Sequence, residues 1–241
     1  MKNIINEKQS ENLNGRLLAC SNFVDNSDIN GKIILDIGCG YGWCELNFLN
    51  RGAKEITAIE KSADDLKTIK NNIKDQKVKL AVSNATNLSF ENESFDTVVM
   101  WDVIEHIPRG TEPIMFSEVS RVLKQDGYFY ISTPYSSFFS KITDPAWWFA
   151  GHRHYSKEDI TYLAKNNNFE IIKIEIKGSW WTIFSTLNMY VAKWIFKRPP
   201  FFCFFLSKRE NDEYKKNNGF VVIFVILKKV IIILLLCVLI I

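Results

Sequence analysis

The residues best placed to do chemistry begin at Asp36, in the run Asp36-Ile37-Gly38-Cys39-Gly40-Tyr41-Gly42. Glycines spaced this closely let a backbone pass near a ligand without Cβ clashes. Glu60 follows at the chain distance where a ribose-binding acid belongs. A carboxylate there accepts hydrogen bonds from both ribose hydroxyls and repels a 2′-phosphate, so the expected ligand contains adenosine. The dinucleotide fingerprint is G-x-G-x-x-G, with a helix N-terminus facing a pyrophosphate. Here the spacing is G-x-G-x-G, and Asp36 stands just before the first glycine. A carboxylate is unfavourable beside a pyrophosphate and favourable beside a sulfonium that carries an ammonium group. The spacing therefore points away from NAD and toward S-adenosylmethionine. The plainer alternative is a tight strand-to-helix turn with no ligand.

Methyl transfer from a sulfonium is an in-line displacement, so a protein mainly aligns the reactants and excludes water. A general base is needed only when the nucleophile enters protonated, as a hydroxyl does. Three histidines are available: His106, His152 and His154. His106 follows Glu105 just after a predicted strand, at the mouth of the sheet; it either takes a proton or, with Glu105, shapes the loop. His152 and His154 flank Arg153 ahead of a predicted helix, and stand as base, substrate anchor or surface residues. Arg153 either pairs an acidic substrate group or is a solvated charge. Tyr155 reads as packing. Trp147-Trp148-Phe149, just upstream, reads as an irregular aromatic segment: a satellite core or an apolar lid for an aromatic or lipid-like acceptor. Five cysteines include no C-x-x-C pair, so neither a metal site nor a disulfide framework is indicated. Cys39 and Cys44 read as buried small side chains.

The elements that must position these groups follow from apolar runs and turn residues. Leu13, Arg16, Leu17 and Cys20 suggest a short leading helix. Strands are expected at Lys32–Asp36, Glu55–Glu60, Val78–Ser83, Phe95–Trp101, Tyr128–Thr133, Phe169–Lys177 and Gly219–Leu227. Helices are expected at Tyr41–Asn50, Ser62–Lys74 with Ser62 as cap, Thr111–Lys124 and Ser156–Asn167. This alternation predicts an α/β fold, a mostly parallel sheet with helices on both faces and its ligand crevice at the carboxyl ends of the strands. Residues 1–30 form a helical lead-in, 31–177 a cofactor-binding core, 178–218 a hydrophobic amphipathic insertion, and 219–241 a closing strand and apolar tail.

The chain resembles the class I S-adenosylmethionine-dependent methyltransferases, in the type 11 small-molecule branch that includes the ubiquinone-pathway O-methyltransferases. The resemblance rests on ILDIGCGYG (34–42), AIE (58–60), NATNLSF (84–90), SFDTVVMWDVIEHIP (94–108), VLKQDGYFYISTP (122–134) and GHRHYSKEDI (151–160). It implies a seven-stranded Rossmann-like sheet with the last strand antiparallel. It also implies that Asp36, Gly38 and Gly40 line the methionine end of the cofactor, that Glu60 holds the ribose and Asn84-Ala85 the adenine, and that Trp101 lies under the sulfonium. Many relatives carry Asp at the position of Asn84, whose side-chain oxygen can still accept from the adenine amino group.

Composition narrows the partners. Lys+Arg 30 against Asp+Glu 27 is nearly balanced, which disfavours a nucleic-acid binder. Aromatic residues at 14% exclude disorder as the main theme. Met1–Ser10 is polar and does not read as a signal peptide, so a reducing, cytoplasmic setting is expected. In 180–197, Ile183, Phe184, Leu187, Tyr190, Val191, Trp194 and Ile195 recur at helical spacing, with Lys193, Lys197 and Arg198 nearby. Such a helix either lies on a membrane surface or packs over the pocket. Val230–Ile241 is apolar throughout but shorter than the roughly 20 residues a span requires. Peripheral membrane contact through 180–198 and 230–241 is the expectation, with a small-molecule acceptor and O-methylation ahead of C- or N-methylation. Two other classes compete: a non-catalytic methyltransferase-fold module at a membrane, and an NAD-dependent oxidoreductase. Cofactor binding separates the three.

Overall fold

A computed structural model of the chain describes residues 13–231. The first twelve residues and 232–241, most of the apolar end, lie outside the described residues. The chain runs α1 (Gly15–Phe23), β1 (Ile33–Ile37), α2 (Trp43–Asn50), β2 (Glu55–Glu60), α3 (Ala63–Asn72), β3 (Val78–Val82), β4 (Phe95–Trp101), α4 (Glu112–Val122) and β5 (Leu123–Pro134). It continues through α5 (Phe138–Thr143), α6 (Pro145–Ala150), α7 (Lys157–Lys165), β6 (Phe169–Lys177), α8 (Trp180–Tyr190), α9 (Cys203–Tyr214) and β7 (Val222–Lys229).

The seven strands form one sheet in the order β3-β2-β1-β4-β5-β7-β6. The first five pair in parallel, and β7 runs antiparallel to both β5 and β6. This is the expected sheet. The strand order reverses between β1 and β4, which opens a crevice at their carboxyl ends. Alternate residues of each strand face opposite ways. Leu35, Ile37, Val98, Met100, Phe129 and Ile131 meet α4 and α7 on one face, through Phe116, Val119, Ile160 and Leu163. Ile34, Val99, Tyr130 and Phe224 meet α1, α2 and α9 on the other, through Cys20, Phe23, Phe48 and Tyr214. The leading helix thus belongs to the second face of the core.

Beyond the early start of β5 and the added helix α5, three segments differ from the sequence reading. Trp147-Trp148-Phe149 is not irregular: it lies in α6, whose N-cap Asp144 accepts from the Ala146 N–H, with Pro145 in the first turn and Gly151 left-handed at the end. The expected helix over 180–197 is α8 followed by a π-helical turn, Val191–Ile195. The stretch after Pro199-Pro200 contains α9. Glu213 of α9 caps α8 from outside, accepting from the backbone N–H groups of Ser179, Trp181 and Thr182 at 2.9–3.0 Å. Asn188 and the backbone of Phe201 exchange two hydrogen bonds, which closes α8 and α9 into a hairpin.

Candidate functional site

A cleft of about 430 Å³ opens at the carboxyl ends of β1, β2 and β4. Gly38 and Gly40 serve it differently. A Cβ on Gly38 would sit 2.3 Å from Val103 Cγ2, so this glycine lets the loop after β4 close against the turn. A Cβ on Gly40 would meet nothing within 4 Å, so this glycine leaves open space in the cleft. At φ +58° Gly40 turns its N–H to Glu60, whose Oε1 accepts it at 2.8 Å. That bond fixes Glu60 at the rim of the cleft. Burial pushes the Glu60 carboxyl above its usual range, and the Gly40 N–H opposes that shift.

Asp36 does not stand on the cleft wall. It is 1% exposed and has the strand parity of Ile34, so it faces α2, where it meets the carboxyl of the fully buried Glu45. Burial raises both carboxyls, Glu45 well above its usual range, so that Glu45 keeps its proton. Burial pushes Asp36 up to about 7, so the pair carries at most one negative charge behind the glycine turn rather than two. Trp101, at the end of β4, lines the cleft. Asn84 and Ala85 line it too, but the Asn84 Oδ1 already accepts from Thr86, from its N–H at 3.2 Å and its hydroxyl at 3.1 Å. It holds its own turn.

The three histidines separate. His106 sits in a 3-10 turn after β4 and lines the cleft. Burial and the neighbouring His152 hold its imidazole below the usual pKa. His152 reaches it from the end of α6, Nε2 to Nε2 at 3.2 Å, but does not itself line the cleft. His154 has no exposed side-chain surface; its Nε2 donates to Asp144 Oδ2 at 2.9 Å and its Nδ1 lies 3.2 Å from Ser140 Oγ and from the Tyr135 carbonyl oxygen. It does not line the cleft. Glu105 turns inward, where Thr133 donates to its Oε2 at 3.0 Å and burial, then Asp102, pushes its carboxyl well up. Atoms of Glu105, His106 and His152 lie within 4.8 Å of one another, and the two imidazoles stand at hydrogen-bond length.

Arg153 is not a solvated charge, and it does not line the cleft. It donates to the carbonyl oxygens of Ile104 and Ile107 and pairs with Glu112, bolting the His106 turn to α4. Tyr155 adds to this, its hydroxyl donating to Ile104 O and Glu112, both at 3.2 Å. Sequence reasoning passed over Asp102, which lines the cleft at φ +54° and pairs with Arg16 of α1 at 3.2 Å. It also passed over Asp144, although Asp-Pro ahead of a short run and Gly is a helix signature.

The residues present fit S-adenosylmethionine. An open glycine, a rim carboxylate and a flat indole are disposed around one cleft large enough for a nucleoside. Residues 34–127 match the methyltransferase domain family. Over 110 residues the chain is 30% identical to the ubiquinone biosynthesis O-methyltransferase of Glaesserella parasuis serovar 5, covering 43% of this chain and 45% of that one. Over 151 residues it is 28% identical to phosphoethanolamine N-methyltransferase 2 of Caenorhabditis elegans, covering 60% and 34%. The chain thus spans less than half the length of these curated relatives. Its fold is similar to that of geranyl diphosphate C-methyltransferase from Streptomyces coelicolor A3(2), solved with Mg2+, geranyl diphosphate and S-adenosyl-L-homocysteine. The TM-score is 0.63 at 16% identity, over 88% of this chain and 77% of that one.

Proposed function

We propose that this chain, whose residues 34–127 match the methyltransferase domain family, is a class I S-adenosylmethionine-dependent methyltransferase that methylates a hydroxyl of a small, apolar acceptor. Quinone-like and lipid-like molecules both fit that description. The observation that carries the reading is that Gly40, Glu60 and His106 share one cleft. When bound, S-adenosylmethionine supplies a methyl group already attached to its leaving group. What remains for the chain is binding, alignment and one proton. Glu60 holds the ribose hydroxyls with the carboxylate oxygen that Gly40 leaves free. Gly38 and Gly40 give the backbone room at the methionine end, and the Asp36–Glu45 pair supplies at most a single negative charge behind it. Ala85 packs on the adenine. Asn84, with its oxygen engaged by Thr86, offers its amide N–H rather than its oxygen to the base. Trp101 provides a flat floor. His106, kept neutral by its lowered pKa, takes the acceptor proton.

The test is cofactor binding. S-adenosylmethionine and its demethylated product should raise the melting temperature, and NAD should not. Glu60→Ala should weaken cofactor binding by about 1–3 kcal/mol, the loss of hydrogen bonds to a charged acceptor. A shift with NAD alone, or unchanged affinity in Glu60→Ala, would overturn the reading.

A second reading concerns location. Phe184, Trp194, Ile195, Phe196, Phe202 and Phe204 are exposed on the α8–α9 hairpin, as are Phe138, Trp148 and Phe149 on the adjoining short helices. Arg198 lies over the Phe201 ring and Arg209 over those of Trp181 and Phe205. Aromatic side chains interleaved with cations suit the headgroup layer of an anionic bilayer. No helix among the described residues is long and apolar enough to cross a membrane. The protein on this reading rests on the surface and draws its acceptor from the lipid phase.

A further inference from the structure

Resting on the methyltransferase reading, we propose that Asp144 is a positioning residue: through His152 it sets which nitrogen of His106 is bare to take a proton. Asp144 and His152 stand at the two ends of α6. Asp144 Oδ1 accepts from the Ala146 N–H at 2.9 Å, and the His152 N–H donates back to the Ala146 carbonyl oxygen at 3.1 Å. The short helix therefore holds both side chains in one frame. Asp144 Oδ2 takes the Nε2 proton of His154 at 2.9 Å and lies 3.5 Å from His152 Nδ1. The buried His154 is thus a tether for the carboxylate, not a base.

The protons follow from the donor and acceptor inventory. An ionised carboxylate only accepts, so His152 carries its proton on Nδ1. In a neutral imidazole the other nitrogen, Nε2, is then a lone pair. That lone pair faces His106 Nε2 at 3.2 Å. Two lone pairs cannot face each other at this distance, so His106 carries its proton on Nε2 and leaves Nδ1 bare. Of the two rings only His106 lines the cleft. In the transfer the hydroxyl O–H bond breaks, an N–H bond forms at His106 Nδ1, and the electron pair stays on oxygen. The resulting imidazolium is stabilised by its Nε2–H bond to His152, whose own Nδ1–H points to Asp144.

The carboxyl state agrees. Burial would raise Asp144, but the hydrogen bonds from His152, His154 and Ala146 override it and hold the group well below the usual carboxylate range. The other charged groups around the pair have partners of their own. Arg153 is bound to the Ile104 and Ile107 carbonyls and to Glu112, and Asp102 to Arg16; Glu105 is not among them, because burial pushes its carboxyl well up, and its Oε2 accepts from Thr133.

Nitrogen-15 spectroscopy of the imidazoles tests this on the full chain without an acceptor. The sequence has only three histidines, so single substitutions assign every signal. With the rings neutral, His152 should be the Nδ1–H tautomer and His106 the Nε2–H tautomer, each with two widely separated nitrogen signals. Asp144→Ser keeps a helix-capping oxygen but removes the carboxylate. There both rings should become mixtures whose signals move toward their mean, while the melting-temperature shift given by S-adenosylmethionine persists. His152 protonated on Nε2 in the wild type overturns the proposal, even where the variant does not fold. So do unchanged spectra in Asp144→Ser, and so does selective broadening of both rings by added Mn2+, because a bridging cation needs both Nε2 lone pairs. Failure of the methyltransferase reading would instead appear as no response to S-adenosylmethionine, with the tautomers as described.

Discussion

Glu45 has no exposed surface and presses its carboxyl against Asp36 beneath the glycine turn. Burial raises its pKa above the unfolded value, so the folded state keeps a proton that the unfolded chain releases. Stability from this group is present below the unfolded pKa, near 4.3, and is lost as pH rises through the folded one. Glu45→Gln cannot ionise and still offers Asp36 a donor. It should be more stable than wild type at pH 8, by about 1.4 kcal/mol for each unit of the upward shift that lies below pH 8, and the gap should close toward pH 4. Denaturant unfolding at the two values checks this; equal stabilities at pH 8 would mean that the pair is ionised or hydrated. Gly40, Glu60 and His106 were legible in the sequence because their spacing places them at strand ends. The place of Asp36 was less so. Its motif suggests a ligand contact, whereas strand parity sends it toward α2. Asp144 escaped notice because its role exists only once α6 folds back and brings His152 and His154 to one oxygen.

At the scale of elements, one carboxylate caps the start of α8. Ser179 gives α8 no side-chain cap, and Glu213 supplies it from the neighbouring helix. Those hydrogen bonds outweigh burial and hold the Glu213 carboxyl below its usual range. Its contribution is therefore present above the unfolded pKa and is lost as pH falls through the folded one. Glu213→Ala should cost about 1–2 kcal/mol, the value of a good cap, and should raise amide exchange first in the opening turn of α8. Unchanged exchange there would show that packing alone holds the helix. The strands and the helices between them were readable because each buries a regular apolar stripe. α9 was not. Its apolar residues Phe204 and Phe205 are exposed, while Glu210 and Tyr214 are the buried ones, so the hydrophobic period points the wrong way. The ends of β5 were blurred for a related reason. Asp126-Gly127 looks like a helix stop, yet Asp126, at φ +59°, sits in an irregular stretch of the strand where the pairing with β4 shifts.

At the scale of the whole molecule, and apart from Tyr162 of α7, the exposed aromatic side chains among the described residues lie on α5, α6 and the α8–α9 hairpin, away from the sheet that binds cofactor. Flotation with anionic liposomes at low salt should carry the protein into the lipid fraction, and replacing Trp194, Phe196 and Phe202 with Ser should leave it below while the thermal response to S-adenosylmethionine is unchanged. Wild-type protein absent from the lipid fraction would end the membrane reading. The sheet order has a different bearing, on how the molecule is made. Among the described residues β7 is the strand that comes last in the chain, yet it lies between β5 and β6, and β6 has no other neighbour among them. A nascent chain halted on the ribosome between 177 and 222 therefore holds a finished five-strand sheet with a bare edge and a sixth strand that has nowhere to dock. Unpaired edges of that kind are sticky, so this interval is when the growing polypeptide depends most on chaperones.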